Sequence, residues 1–155
     1  MSFDKTILPG GEGKIKIMIN SKGYGDKIFK KKIKVHTNDV NNKVTIFNIT
    51  GNVEKIANIK PDIIRLSGSI KDDINIIATV IPVQKYDFSV IGKQVKKGEN
   101  ILVDLKKFPN KVKGWDVKVT NTRKTPGRYF DVIILKTDST IQPRIKISVF
   151  GNISE

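Results

Sequence analysis

The sequence predicts an all-β protein, and three observations support this prediction. Isoleucine (25 residues) and valine (14), which favour strands, far outnumber leucine (5), alanine (2) and glutamate (4), which favour helices. Apolar and polar residues alternate with a period of two over many short segments. One such pattern recurs at a separation of 100 residues, which indicates an internal repeat.

The first three predicted strands cover residues 14–19, 27–36 and 44–50. In the second of them the lysines at even positions lie on the face opposite to Phe29, Ile33 and Val35. Glycine and polar residues at 20–26 predict the first turn. Thr37-Asn38-Asp39 predicts an Asx-type turn, in which short polar side chains bind the neighbouring backbone.

Lys60-Pro61-Asp62 is the strongest linker signal, and further predicted strands follow it. Pro82 should lie at a strand end or edge, because proline cannot donate a ladder hydrogen bond. About seven short strands at this spacing are typical of an immunoglobulin-like sandwich. They are predicted at 63–67, 74–83, 86–90, 101–105, 115–120, 129–136 and 144–150.

The repeat aligns residues 29–53 with residues 129–153 without a gap. The two copies share the turn threonine, a core isoleucine and a strand-ending Gly-Asn, and their apolar positions agree in parity. We therefore expect two similar closing hairpins with the same face buried. A Gly-Glu pair before residue 14 and another before residue 101 extend the likeness upstream.

Residues 7–53 resemble the bacterial family called Domain of Unknown Function 1573. The similar features are a Pro-Gly-Gly-Glu turn, a basic-apolar strand, a Thr-Asn-Asp turn and a last strand closing in Gly-x-Val. The turn has one glycine more than the Pro-Gly-Glu that is usual in the family. The resemblance implies an exported protein with an immunoglobulin-like fold and no assigned activity. It also implies that a Cys-containing stretch often found upstream is missing here. Because only three strands are predicted before the linker, residues 1–58 are predicted to be a partial unit of three closing strands. Residues 59–155 are predicted to form the complete seven-stranded sandwich.

Three strands form one sheet with a single apolar face, which a sandwich must cover with a second sheet. We expect this face to be covered by the second domain, by a second copy of the chain, or in small part by residues 1–8. The face comprises Ile15, Ile17, Ile19, Phe29, Ile33, Val35, Phe47 and Ile49.

The formal charge of +14 could attract an anionic polymer. Lysine outnumbers arginine 25 to 4, however, and aromatic residues are only 7%, which disfavours nucleic acid as the partner. Lysines on an outward face also protect an edge strand from pairing with other chains, and this interpretation is favoured. The candidate polyanion contacts are Lys27, Lys30, Lys32 and Lys34.

No catalytic, cofactor or metal site is predicted. Cysteine is absent and there is one histidine, His36, which is expected to be solvated beside its turn. Asp72, Asp73 and Asn75 carry oxygen ligands suited to calcium, but a polar turn before a strand is the simpler interpretation. Trp115 is expected to be a core residue rather than a ligand platform.

We therefore expect a non-enzymatic structural or protein-interaction module of an exported bacterial protein, located in the periplasm or at the cell surface. The alternative is weak binding of nucleic acid or an envelope polysaccharide through the lysines. A protein partner or self-association is expected. No apolar window is long enough to span a membrane, and no signal peptide is expected in this chain because residues 1–6 lack an apolar stretch.

Overall fold

The structure, a computed structural model, describes residues 2–21, 23–109 and 112–155. Lys22, within the predicted first turn, lies outside these residues. The chain divides into an N-terminal unit that extends to Lys55 and a second unit, Ile56–Glu155. No helix among the described residues is long and apolar enough to cross a membrane.

In the N-terminal unit four strands form two separate two-stranded antiparallel sheets. Strands β1 (Ser2–Phe3) and β2 (Ile15–Lys16) pair with each other. Strands β3 (Lys27–His36) and β4 (Val44–Val53) form a hairpin with ten residues in each strand.

The second unit is a sandwich of two four-stranded sheets. One sheet has the order β5-β7-β10-β9 and the other has the order β6-β12-β11-β8. The strands are β5 (Ala57–Lys60), β6 (Ile63–Ser69), β7 (Asn75–Pro82), β8 (Val90–Val95), β9 (Ile101–Lys107), β10 (Trp115–Asn121), β11 (Gly127–Thr137) and β12 (Arg144–Ser154).

This strand order is that of an immunoglobulin-like sandwich, so the predicted fold class is confirmed. In conventional lettering the first sheet is ABED, and the second contains strands C, F and G. The first strand is divided between the sheets. Its first half, β5, pairs antiparallel with β7, whereas its second half, β6, pairs parallel with β12.

The sandwich has one strand more than the sequence predicts. No strand is predicted at residues 57–60, but they pair with the far end of β7, where Ala57 lies opposite Pro82. The chain then passes to the other sheet through Pro61, whose ring nitrogen carries no hydrogen to donate. Pro82 is the last residue of β7, as predicted.

The strand predicted at 86–90 is misplaced. Gln84–Tyr86 form a 3₁₀ turn, and β8 begins only at Val90. The alternating apolar residues there belong to a connection that packs onto the core: Phe88 is 2% exposed and its ring stacks on Trp115, with the centroids 6.0 Å apart. Trp115 itself is 4% exposed, which confirms its assignment to the core.

The strand predicted at 14–19 is also wrong in extent and in partner. Only Ile15 and Lys16 are in strand conformation, and they pair with Phe3 and Ser2 rather than with the hairpin. Because Ile17 and Ile19 line a groove with Phe29 of β3, this segment lies over the face of the hairpin instead of extending its sheet.

The internal repeat is confirmed residue by residue. In the first hairpin Phe29 lies opposite Gly51 and Ile33 opposite Phe47. The second hairpin, β11–β12, has the same pairs with 100 added to each number, from Lys136 opposite Arg144 to Gly127 opposite Ile153. Odd-numbered positions carry the buried side chains in both copies.

Tyr129 of β11 is half-buried, and its hydroxyl donates a hydrogen bond of 2.8 Å to Asn121 Oδ1. Burial raises the pKa of Tyr129 above its usual value; the positive charge of Arg123 opposes this rise, and the negative charge of Asp131 adds to it. The folded state therefore favours the neutral phenol. The contribution of neutral Tyr129 to the free energy of unfolding is fully present below the tyrosine pKa of the unfolded chain. It is lost as the pH rises through the pKa of Tyr129 in the folded protein.

We expect Tyr129→Phe to cost about 1 kcal/mol at neutral pH through loss of this hydrogen bond. Above about pH 10 the difference from the wild type should shrink, because phenylalanine has no proton to lose. Urea unfolding of both proteins from neutral pH to above pH 10 measures the effect. Lysines also titrate in this range, but they do so in both proteins, so their effect cancels in the comparison. Unfolding free energies that stay parallel above pH 10 would contradict this account.

Candidate functional site: the β3–β4 hairpin

The two faces of the β3–β4 hairpin differ in chemistry because side chains alternate along a strand. Even-numbered residues of β3 form an outer face that is polar except for Ile28. Odd-numbered residues form the face that, in the second unit, is turned into the core. The N-terminal unit thus carries a hairpin in the same register as the β11–β12 hairpin of the sandwich.

The lysine face consists of Lys30, Lys32 and Lys34, all exposed. Opposite them on β4 lie Thr50, Asn48 and Ile46, also exposed. Successive side chains on one face of a strand are about 7 Å apart, so the three charges form a short row.

Lys27, the fourth predicted contact residue, does not belong to this row. It is an odd-numbered residue opposite Val53, so the alternation places it with Phe29 rather than with Lys30. Lys27 shares with the other three residues only its charge and its proximity in the sequence. The residues that the structure brings together are therefore Lys30, Lys32 and Lys34.

The opposite face carries the hairpin groove, a depression of about 390 Å³. Its apolar lining is only partly covered: Phe29 is 7% exposed, but Ile19 remains 43% and Met18 88% exposed. The groove is lined by Ile17, Met18, Ile19, Asn20, Tyr24, Phe29, Lys31, Ile33 and Ile49.

The apolar face predicted from the sequence is therefore incompletely buried in this chain. Ile17, Ile33, Val35 and Ile49 are half-buried, whereas Ile15 is 43% and Phe47 53% exposed. Part of the cover comes from residues 17–20 and from Tyr24, whose ring meets Phe29 edge-on at 4.9 Å. These residues were not among the expected covers. Coverage by the second domain or by a second copy stays a prediction.

Lys31 is the charged residue among those that line the groove. The sequence predicts it on the same face as Phe29 and Ile33, but it was not among the candidate contact residues. Its ammonium lies 6.0 Å from the centre of the Tyr24 ring. The available signal was parity, since Lys31 alternates in phase with Phe29 and Ile33. In the sandwich the corresponding residue is Asp131, only 3% exposed.

Asp131 illustrates what that position does in a closed sandwich. Its carboxylate accepts backbone hydrogen bonds from Lys97, Gly98 and Val132 at 2.7–3.1 Å. It therefore holds the turn between β8 and β9, where Gly98 has a φ of +76° that favours glycine. With Lys31 in the corresponding position, the first hairpin has no such acceptor.

The hairpin turns match in detail. Thr37 Oγ1 donates to the carbonyl of Asn42 at 2.9 Å, and Thr137 Oγ1 donates to the carbonyl of Gln142 at 2.7 Å. The predicted Asx turn is confirmed, because Asp39 Oδ1 accepts from the backbone N–H groups of Asn41 and Asn42. These hydrogen bonds hold the pKa of Asp39 below its usual value.

The edges of the two hairpins differ. In the sandwich β11 has β8 on its outer side and β12 has β6, so both strands are interior. Among the described residues, β3 and β4 pair only with each other, so each has one unpaired edge.

The edge strand β8 of the sandwich is protected by Lys93. This residue alternates onto the inner side of the strand and donates a hydrogen bond from Nζ to the Val103 carbonyl.

The remaining candidate residues from the sequence, His36 and the acidic residues at 72 and 73, lie at a strand end and in a turn. His36 ends β3 and is exposed. Asp72 accepts from the backbone N–H of Ser69 at 2.7 Å, in a polar turn before β7. Within residues 2–21, 23–109 and 112–155, no group of three or more His, Cys, Asp or Glu side chains is arranged to hold a metal ion.

No protein-family model and no curated protein matches this sequence. Among solved structures the chain is similar to extracellular cadherin domains 1–4 of Protocadherin Gamma B7, with 12% identity and a TM-score of 0.44 over 98% of this chain. It spans 40% of that chain's length. It is also similar to domains 4 and 5 of the S-layer protein SbsC, with 11% identity and a TM-score of 0.41 over 97% of this chain and 94% of that chain. Since neither TM-score reaches 0.5, the fold assignment rests on the strand order described above.

Proposed function

We propose that this protein is a non-enzymatic structural or protein-interaction module of an exported bacterial protein. The observation that carries the proposal is the contrast between its two hairpins. The sandwich hairpin has both edges paired and Ile133 and Ile147 fully buried, whereas the β3–β4 hairpin has unpaired edges and a half-covered apolar face. Partly exposed apolar surface beside free strand edges is typical of sites that bind other polypeptides.

The buried polar residues of the sandwich support a structural role. Among the residues of the sandwich that the structure describes, the buried polar side chains are Asp131 and Thr137. Asp131 holds the β8–β9 turn and Thr137 holds the β11–β12 turn. Both side chains thus fix the backbone of a turn, which is a structural role.

The extracytoplasmic location and the bacterial origin rest on the resemblance of residues 7–53 to the family Domain of Unknown Function 1573. The Pro-Gly-Gly-Glu turn that carries part of this resemblance has Gly10 at a φ of +76°, like Gly98 before β9. The glycine that precedes the glutamate is Gly11 in this turn and Gly98 before β9, so the two turns place the positive φ one residue apart relative to the shared Gly-Glu.

The alternative function is binding of an anionic polymer by the lysine face. The favouring observation is that Lys30, Lys32 and Lys34 lie in a row on one exposed surface. Three lysines allow a few phosphate or sulfate contacts, so such binding would be weak and would decrease steeply with added salt.

A photo-crosslinking amino acid placed at Phe47 tests the proposal in the source bacterium. Phe47 is 53% exposed on the apolar face, and Leu102, 56% exposed on the sandwich, is the matched control. We expect protein adducts from position 47 in the extracytoplasmic fraction and few from position 102. Equal adducts from both positions, or adducts of nucleic acid or polysaccharide in place of protein, would contradict the proposal.

A further inference from the structure

The outer edge of β3 is unpaired, and the second hairpin provides a template for the strand that fits such an edge. There β11, the repeat partner of β3, has β8 as its antiparallel neighbour, with Val95 opposite Ile133 and Gln94 opposite Ile134. If this pairing is applied to β3, whose residue numbers are lower by 100, the added strand has an inward side chain opposite Ile33 and an outward side chain opposite Lys34.

The charges around this edge specify the chemistry of the strand. Residues 27–53 contain six lysines and a single acidic residue, Asp39. The template covers the positions that correspond to residues 33–37, and of the three lysines it includes Lys34. A longer strand that continues in the same register would also place outward side chains opposite Lys32 and Lys30. Acidic side chains at those positions would form cross-strand ion pairs, whereas basic ones would repel the lysines.

The groove determines which inward side chains the added strand should have. Inward side chains would lie along the edge of the surface formed by Phe29, Ile33 and Ile19, which is apolar. Lys31 adds a positive charge within that surface. A strand that alternates apolar and acidic residues satisfies both sides of the hairpin.

We propose that the free edge of β3 binds an acidic, extended segment of a partner protein as an added antiparallel strand. Its acidic side chains face Lys30, Lys32 and Lys34, and its apolar side chains face the groove. This inference rests on the proposed function and names the partner's chemistry. A second copy of the chain is disfavoured as the occupant, because each copy carries a charge of +14 and presents the same lysine-rich hairpin.

Added strands bind through main-chain hydrogen bonds, with side chains giving specificity. Binding should therefore require the period-two pattern and free backbone N–H groups on one side of the segment. A polyanion held by charge alone requires neither. This difference separates strand addition from the alternative function.

The probe is a capped peptide of about twelve residues that alternates valine and glutamate, titrated into the full-length chain at about 0.15 M salt. The control peptide has the same composition in a Val-Val-Glu-Glu repeat. We expect the alternating peptide to bind about tenfold tighter or more than the control. Of two N-methylated versions, one methylated at the valines and one at the glutamates, one should lose binding, because methylation removes the donors that face β3.

Two protein variants locate the site. Replacing Lys30, Lys32 and Lys34 by glutamine should weaken binding about tenfold. The matched variant replaces Lys96, Lys106 and Lys118, which are exposed on the sandwich, and removes the same charge. It should leave the affinity within about twofold.

Equal binding of the two peptide patterns, binding of polyaspartate as tight as that of the alternating peptide, or binding that survives both methylations would contradict strand addition. Absence of binding by every peptide would contradict it as well. In that case, protein adducts from position 47 would leave the proposed function standing, whereas their absence would remove both.

Discussion

Replacing Ile133 with alanine should cost about 2–5 kcal/mol of unfolding free energy, whereas replacing Ile33 should cost about 1 kcal/mol or less. The two isoleucines occupy the same position of the repeat, opposite Ile147 and Phe47 respectively. Ile133 is completely buried, and its truncation leaves a cavity between two packed sheets. Ile33 is half-buried beside an open groove, so its truncation removes fewer contacts and encloses no void.

Urea unfolding measures both variants, with the fluorescence of Trp115, the one tryptophan, reporting on the sandwich and circular dichroism on the whole chain. Ile133→Val serves as the graded control and should cost about 0.5–1.5 kcal/mol. Similar losses for Ile33→Ala and Ile133→Ala would mean that the first hairpin is as closely packed as the second.

The strands of both hairpins could be predicted because alternation survives in the sequence. A buried face requires apolar residues at every second position, so parity alone identified the inner faces of residues 29–35 and 129–135. The turns followed from Thr37 and Asp39, whose side-chain oxygens satisfy the local backbone.

Elements that depend on tertiary partners could not be predicted. Strand β5 is four residues long and exists as a strand because β7 offers it an edge. Phe88 lies in a pattern that favours a strand, yet its ring packs against Trp115 from a connecting segment. Local sequence does not show whether such a segment forms a strand or a connection, because both can place alternate residues against the core.

The candidate site was predictable on its outer side and only partly on its inner side. Lys30, Lys32 and Lys34 followed from alternation, while Lys27 was included by charge although its parity differs. The groove depends on residues 17–20 lying over the hairpin, which the sequence did not indicate because their pattern is also that of a strand.

The glycine at positions 51 and 151 of the repeat also has a structural reason that the sequence alone does not show. A Cβ added to Gly151 would collide with the ring of Tyr129, whereas one added to Gly51 would meet open space. The repeated Gly-Asn therefore has a packing reason in the sandwich hairpin. In the first hairpin the described contacts do not require it.

The two hairpins should also differ in how they open. Strands β11 and β12 are interior strands of a four-stranded sheet, so their amides exchange with solvent mainly when the sandwich unfolds. Strands β3 and β4 form a two-stranded sheet, which is marginally stable by itself in water. Their amides should exchange through local opening, about a hundredfold faster or more.

Residue-resolved hydrogen exchange of the whole chain tests most directly the central claim, that one hairpin is closed in a sandwich while its repeat is open. The account predicts slow exchange across residues 127–153 and much faster exchange across residues 27–53. Equal protection of Ile33 and Ile133, and of the other amides paired by the repeat, would contradict it.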